Sequence, residues 1–266
     1  MKLALSARQF MIPGGFSMSL PEFIAFAREV GYDGVEIRRG HLDETSPAAA
    51  VDEARAALEK HGVCCTFLTA PGISDPESLR RAERVVDIAS AIGALYVRVS
   101  PNSEQSIPWI RRIADYAAER GVKTGAQLHN GTLLDTTERC EIYLPRIDHP
   151  NFGLAFEASH LIIAGQEKHA ETEIERLAPY IIAVSIQNHK PMPADAEGPE
   201  VITLNGRKYA LCLPGDPDGV DFDSLFRGLK RIGFDGYLTV MPAAFPGMES
   251  TELARVYHNF LSAYLT

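Results

Sequence analysis

Short apolar runs alternate with longer amphipathic segments from one end of the chain to the other. Each run is rich in apolar residues and has the length of one β-strand. We count about eight runs. They are Leu3–Leu5, Gly34–Ile37, Val63–Leu68, Ala94–Val99, Val122–Leu128, Phe152–Phe156, Ile181–Ile186 and Tyr237–Met241.

The segments between these runs carry helix start and stop signals. Ser19 and Glu22 have the spacing of a capping box, and Pro47 and Pro76 stand at positions that open a helix. Glycine follows most of the segments, as is common after the last helical turn. The predicted helical segments are Ser19 to Gly31, Ser46 to Lys60, Asp75 to Ile92, Pro108 to Arg120, Asp221 to Ile232 and Glu249 to Leu265.

This alternation of strand and helix predicts the fold class. Strands joined by helical crossovers are parallel, and about eight such units close on themselves as a (β/α)₈ barrel. We therefore predict an α/β protein with one barrel domain over residues 1–266. An open doubly wound sheet is the alternative. The first strand is followed by Pro13-Gly14-Gly15 and lacks the GxGxxG spacing, so no nucleotide cofactor is expected.

One connection, at about residues 188–220, is much longer than the others and rich in proline. A loop of this length in a compact domain is usually a lid or a binding loop. The segment Val201–Tyr209 contains Asn205-Gly206 and predicts a hairpin within it. A decoration that does not touch the substrate is the alternative.

Composition narrows the classes of partner. The formal net charge of −9 over 266 residues disfavours nucleic acid, although a local basic cleft stays open. The four cysteines form no CxxC pair, and reduced thiols fit a cytoplasmic protein. Neither a secretory signal nor an apolar stretch of membrane-spanning length is expected, so no membrane partner is predicted.

Polar residues follow most of the predicted strands. In a barrel the carboxyl ends of all strands face one mouth, so these side chains predict a polar pocket for a hydroxylated ligand. Arg8 and Arg98 would neutralise a carboxylate or phosphate, or else form salt bridges inside the mouth. The predicted substrate-binding residues are Arg8, Glu36, Arg98, Gln127, Gln187, Asn188 and His189.

Three residues are candidates for catalysis. Glu157 ends one strand and His160 follows three residues later, a spacing that can bring both side chains into one acid–base or metal site. Capping of the next helix is the alternative for this pair. His129 would be a base, a ligand or a hydrogen-bond donor, or a histidine satisfied by backbone.

Several short motifs resemble those of one known group of barrels. The motifs are Gly31–Ile37, Ile92–Ala94, Leu213–Gly215, Gly219–Asp221 and Gly233–Tyr237. They resemble the xylose isomerase-like superfamily, which includes sugar-phosphate isomerases and epimerases, ketose 3-epimerases, inosose dehydratases and endonuclease IV-type enzymes. The resemblance covers nearly the whole chain and specifies no single activity.

The resemblance also implies one divalent metal, Mn²⁺ or Mg²⁺, held by Glu, Asp, His and Glu from the last four strands. The corresponding residues here are Gln127, Glu157, Ser185 and Met241. Because these metals prefer anionic oxygen ligands, tight binding in the usual arrangement is not expected. A rearranged site would use Glu157 and His160 with Gln127 or His129.

These observations predict an enzyme of carbohydrate metabolism that isomerises or epimerises a sugar or keto-sugar. Glu157 would abstract a proton next to a carbonyl group, with His129 or His160 as the acid. A lyase or dehydratase shares this first step and stays open. A catalytically silent barrel that binds a sugar or a partner is the rival, and the charge disfavours a nuclease. The sequence leaves a homodimer open.

Overall fold

A closed ring of eight parallel strands forms the centre of the computed structural model, which describes residues 1–166, 169–198, 201–204 and 206–265. The ring has the order β1-β13-β9-β8-β7-β6-β5-β4. In chain order the strands are Lys2–Ser6 (β1), Met11–Ile12 (β2), Gly15–Phe16 (β3), Gly34–Ile37 (β4), Cys64–Thr69 (β5), Tyr96–Arg98 (β6), Lys123–Gln127 (β7), Phe152–Phe156 (β8), Ile181–Ile186 (β9), His189–Met192 (β10), Val201–Leu204 (β11), Arg207–Leu211 (β12) and Tyr237–Val240 (β13).

Every predicted strand lies in this ring. Gly34–Ile37, Phe152–Phe156 and Ile181–Ile186 have the predicted bounds, and the other five differ by one or two residues at their ends. The predicted fold class, an α/β barrel, is confirmed. Neighbouring ring strands pair in parallel throughout, as in the register of Gln127 with Ala155 between β7 and β8.

Helices surround the ring. The predicted capping box is present, since Ser19 Oγ accepts from the Glu22 amide and the Glu22 carboxylate accepts from the Ser19 amide. No helix of the described residues is long and apolar enough to cross a membrane. The helices are Leu20–Val30 (α1), Ala48–His61 (α2), Pro76–Ala91 (α3), Ile107–Ala118 (α4), Thr137–Ile147 (α5), Ala158–Ile163 (α6), Glu171–Leu177 (α7), Phe222–Arg231 (α8) and Ser250–Ser262 (α9).

Large side chains fill the interior of the barrel below its mouth. Phe67, Tyr96 and Ile182 pack together there, and the Tyr96 hydroxyl donates to the Ile182 carbonyl over 3.1 Å. Gly125 and Gly153 make room for them, because a Cβ at Gly125 would lie 2.9 Å from Ile182 Cδ1 and one at Gly153 would overlap Ile182 Cγ2. This filled interior forms a floor, so a ligand can enter only from the carboxyl ends of the strands.

The long connection forms a small antiparallel sheet of order β10-β12-β11. The predicted hairpin is present, with Val201 paired to Ala210 and Gly206 in the left-handed conformation at φ 74°. Asn205, the other residue of the predicted turn, lies outside the described residues. The connection is therefore folded rather than an open loop.

Candidate active site

A cavity of about 510 Å³ opens at the carboxyl ends of the barrel strands. Gln127, Arg98 and Thr69 end their strands, and Gln187 follows β9 directly, so the barrel itself positions most of the wall. Five residues predicted for the site line the cavity. They are Arg8, Arg98, Gln127, His129 and Gln187.

The Glu157 carboxylate lies directly behind two of these lining residues. Gln187 Nε2 donates to Glu157 Oε1 over 2.6 Å, and Gln127 Nε2 donates to Glu157 Oε2. The Glu157 side chain has no exposed surface. Burial raises the pKa of Glu157 above its ordinary value, and the hydrogen bonds from both amides oppose that rise.

Two arginines fix the orientation of these amides. Arg98 Nη1 donates to Gln127 Oε1 over 3.0 Å, while Arg8 Nη1 donates to Gln187 Oε1 and, over 2.8 Å, to the Met241 carbonyl. Because a guanidinium only donates, each amide must present oxygen to the arginine and its NH₂ group to the carboxylate. One hydrogen-bonded chain therefore runs from Arg98 through Gln127, Glu157 and Gln187 to Arg8.

A second buried carboxylate lies on the other side of Arg98. Glu36 Oε1 is 2.9 Å from Arg98 Nη2 and 3.1 Å from Arg38 Nη1, so one oxygen serves both guanidinium groups. Glu36 Oε2 is buried and has no hydrogen-bond partner in the described residues. Glu36 thus holds two arginines of the cavity wall in place.

The rings of His129 and His160 are in contact, with centroids 4.1 Å apart and planes tilted by 45°. His129 is exposed and lines the cavity, with Nδ1 2.8 Å from the Asn130 carbonyl. His160 is buried behind it, and its Nε2 lies 3.6 Å from Glu157 Oε1. Burial lowers the pKa of His160 well below its ordinary value, so this imidazole is neutral near pH 7.

Asn188 and His189 lie away from the cavity wall. The Asn188 side chain donates to the Leu213 carbonyl over 2.8 Å and accepts from the Val220 amide over 2.7 Å, which joins the two ends of the long connection. His189 Nδ1 lies 2.5 Å from Ser159 Oγ, and burial lowers the pKa of His189 to about 3. The long connection at about 188–220, predicted as a lid or binding loop, contributes none of its described residues to the cavity wall.

The residues around Glu157 do not fit a divalent metal. Both carboxylate oxygens accept from amide NH₂ groups, and the Met241 sulfur lies 3.6 Å from Gln127 Nε2. Mn²⁺ and Mg²⁺ require oxygen lone pairs, whereas these groups direct hydrogens and a soft sulfur toward the same space. Among the described residues, no group of three or more His, Cys, Asp or Glu side chains converges as a metal site.

Two lining threonines were not predicted from the sequence. Thr69 is the last residue of β5, one position past the predicted run, and its Oγ1 accepts from Arg98 Nη2 over 3.3 Å. Thr132 lies in the loop after β7. Extending the predicted run Val63–Leu68 by one residue would have included Thr69. No sequence pattern distinguishes Thr132 from other loop residues.

Comparison with known proteins places the chain in a family. The family model for xylose isomerase-like TIM barrels matches residues 24–255. An inosose dehydratase of Clostridium perfringens is 28% identical over 157 residues, covering 56% of this chain and 51% of that protein. A ketose 3-epimerase of Arthrobacter globiformis is 24% identical over 254 residues, covering 85% and 77%. The chain thus spans about half the length of the inosose dehydratase it matches.

Solved structures share the fold. The probable 3-DHS dehydratase AsbF from Bacillus anthracis has a TM-score of 0.76 at 17% identity, covering 98% of this chain and 99% of that one. The IOLI protein, described with a bound zinc atom, also has a TM-score of 0.76 at 17% identity, covering 100% and 98%. At this identity the likeness concerns the barrel fold alone.

Proposed function

This chain belongs to the xylose isomerase-like TIM barrel family, and we propose that it is a sugar-modifying enzyme that abstracts a proton next to a carbonyl group. The observation that carries the proposal is the buried Glu157 carboxylate, held behind two amides that line an open cavity. Relatives named inosose dehydratase and ketose 3-epimerase support a substrate of the sugar type.

In the proposed mechanism Glu157 is the base. A desolvated carboxylate binds a proton more readily than one in water, which suits proton abstraction near neutral pH. A substrate carbonyl oxygen that enters the cavity can accept from Gln127 or Gln187 in place of the carboxylate. That exchange would polarise the carbonyl group and free one oxygen of Glu157 for the neighbouring C–H bond.

His129 is the proposed acid of the same reaction. It is the exposed member of the histidine pair and lines the cavity, so it can reach a substrate oxygen. His160 is neutral and buried against both His129 and Glu157, which suits a positioning role. The acid would then act from the cavity wall, and the base from behind Gln127 and Gln187.

The chemistry after proton abstraction has two outcomes. Return of a proton gives isomerisation or epimerisation, which we propose first. Loss of a hydroxyl group from the next carbon gives dehydration, and this lyase reaction uses the same base and acid. The two outcomes differ in the product, not in the first step, so one substrate screen can separate them.

A barrel that only binds a sugar or a partner is the second candidate function. The observation that favours it is the complete enclosure of Glu157, since both carboxylate oxygens already accept hydrogen bonds. If the amides never release the carboxylate, a ligand in the cavity would meet Gln127 and Gln187 but no base.

Solvent exchange separates these functions. The purified protein is incubated in D₂O with a panel of ketoses, inososes and their carboxylated counterparts, and each substrate is followed by proton NMR. Deuterium at the carbon next to the carbonyl supports the enzyme, and the product identifies an epimerase or a dehydratase. Saturable binding of a panel member without exchange on any of them would establish the binding barrel and overturn the enzyme.

A further inference from the structure

Three guanidinium groups, those of Arg8, Arg38 and Arg98, line the same cavity. Arg38 and Arg98 share the single carboxylate of Glu36. Arg8 has no carboxylate within 4.0 Å among the described residues, and its hydrogen bonds go to an amide oxygen and a backbone carbonyl. With Glu36 and Glu157 both ionised, the wall and its buried support still carry one excess positive charge.

This local charge opposes that of the whole protein. The chain carries a formal net charge of −9, yet the cavity concentrates positive groups in a half-enclosed space. Burial lowers the pKa of Arg8, the charge of Glu157 opposes that shift, Arg38 adds to it and Glu36 opposes it. The net shift is downward, so the charge on Arg8 still carries a desolvation cost in the free protein. An anion beside Arg8 would offset that cost.

The donor groups needed for an anion are also free. Arg8 and Arg38 each donate through Nη1 only within the described residues, so their Nε and Nη2 groups remain for a ligand. A guanidinium presents these N–H groups in one plane, which matches two oxygens of a carboxylate or phosphate. Ser100, Asn102 and Thr132 in the same wall can bind hydroxyl groups.

We infer that this arginine wall binds an oxyanion group of the substrate, a carboxylate or a phosphate monoester, so that the substrate is a hydroxylated acid rather than a neutral sugar. The inference rests on the proposed function, because it takes the cavity to be the substrate site. It adds a charge requirement that the barrel fold and the names inosose dehydratase and ketose 3-epimerase do not contain. Arg8 is the central residue of this requirement, since it lacks a carboxylate partner of its own.

Calorimetric titration of the unmodified protein tests the inference with three matched probes. D-glucuronate, D-glucose 6-phosphate and D-glucose share a ring and differ in the substituent at the last carbon. We expect at least one anionic probe to bind about tenfold more tightly than glucose. Tighter binding of glucuronate alone would indicate a carboxylate site, and tighter binding of glucose 6-phosphate alone would indicate a phosphate site. Comparable binding of glucose, or no binding of any probe at millimolar concentration, would overturn the inference.

Charge-removing variants locate the effect. Arg8→Gln should weaken binding of the anionic probe by about tenfold or more, and by a clearly larger factor than binding of glucose. Arg55→Gln is the matched control, because Arg55 is an exposed residue of α2 and, within the described part of the chain, pairs only with Asp52. Equal weakening in both variants would contradict a local site. If Arg8→Gln does not fold, raising the salt concentration with the unmodified protein should weaken only anion binding, and salt-independent binding would overturn the inference.

The two proposals fail in different ways. Titration detects binding without turnover, whereas the D₂O experiment detects proton abstraction. Tight binding of glucuronate without exchange on any substrate would retain the anion site and overturn the enzyme. Deuterium exchange on neutral ketoses, with no preference for acidic substrates, would retain the enzyme and overturn the anion site.

Discussion

Gln187 Nε2 lies 2.6 Å from Glu157 Oε1, so a neutral amide occupies one oxygen of this carboxylate. Gln127 does the same on the other oxygen. Of the four positions where the family resemblance implies metal ligands, Glu157 is the one that carries a carboxylate. Each amide is in turn fixed by an arginine, Arg8 or Arg98. Hydrogen bonds from the two amides and the charge of Arg8 therefore stabilise the ionised Glu157, at the position where the family resemblance implies a metal ligand.

The substitution Gln127→Glu tests this relationship. It would place a second carboxylate against Glu157, and two such groups in contact cannot both ionise without cost. In the presence of a chelator, we expect the free energy of unfolding to fall by about 2 kcal/mol. For a domain of this size, that corresponds to a melting temperature lower by roughly 4–8 °C. Added Mn²⁺ should restore part of that loss, because the variant regains an anionic oxygen ligand.

The unmodified protein is the control for this experiment. Its melting temperature should not change on addition of Mn²⁺, since its amides direct N–H groups at the carboxylate. An equal rise in both proteins would mean that Gln127 turns its oxygen toward the ion, and the donor argument against a metal would be wrong.

Buried histidines predict how stability depends on pH. His189 has a pKa of about 3 in the folded protein, well below its unfolded value, so the folded state resists protonation. The neutral His189 therefore contributes its full stabilisation above the pKa of a histidine in the unfolded chain, about 6.5. That contribution is lost as the pH falls from about 6.5 toward the pKa of His189 in the folded protein. For each buried neutral histidine, the free energy of unfolding should fall by about 2 kcal/mol when the pH is lowered from 7 to 5.

Urea unfolding at the two pH values measures this loss. His189→Gln should reduce the pH-dependent loss by about 2 kcal/mol, since glutamine does not titrate and still bonds to Ser159. His160, whose pKa is also lowered by burial, would keep part of the dependence in this variant. An unchanged pH dependence in His189→Gln would contradict a neutral, buried His189.

Gly153→Ala tests the packed floor beneath the cavity. The new methyl group would overlap Ile182 Cγ2, and Ile182 is already packed against Phe67 and Tyr96. Overpacking of this kind costs about 1–3 kcal/mol, measured as a lower midpoint of denaturant unfolding. Gly72→Ala is the matched control, because nothing lies within 4 Å of a Cβ there. Equal midpoints for the two variants would mean that the barrel interior is loosely packed.

Most of the fold could be predicted because the barrel strands are short and mostly apolar, as in Gly34–Ile37 and Ile181–Ile186. Helices α5, α6 and α7 lie outside the predicted helical segments, and α6 escaped prediction for a physical reason. All six of its residues are buried, so Ala158–Ile163 has no polar face and no amphipathic period.

The site was predicted where it depends on strand ends and not where it depends on contacts across the barrel. Arg98 and Gln127 end their strands, so their place at the mouth follows from the fold. The enclosure of Glu157 comes from side chains each 30 residues away, which no local pattern contains. Asn188 is likewise directed to the long connection by two backbone contacts formed only in the folded chain.

The central claim is that Glu157 accepts a proton from a carbon next to a carbonyl group. The most direct measurement is the rate of deuterium incorporation, on the substrate found in the screen, by the unmodified protein and by Glu157→Gln. We expect a fall of about 10²- to 10⁴-fold in the variant. Glu157→Asp, which keeps the carboxylate but shortens it, should retain more activity than Glu157→Gln, and cooperative melting of each variant shows that it is folded. A folded Glu157→Gln protein that exchanges deuterium as fast as the unmodified protein would contradict the account.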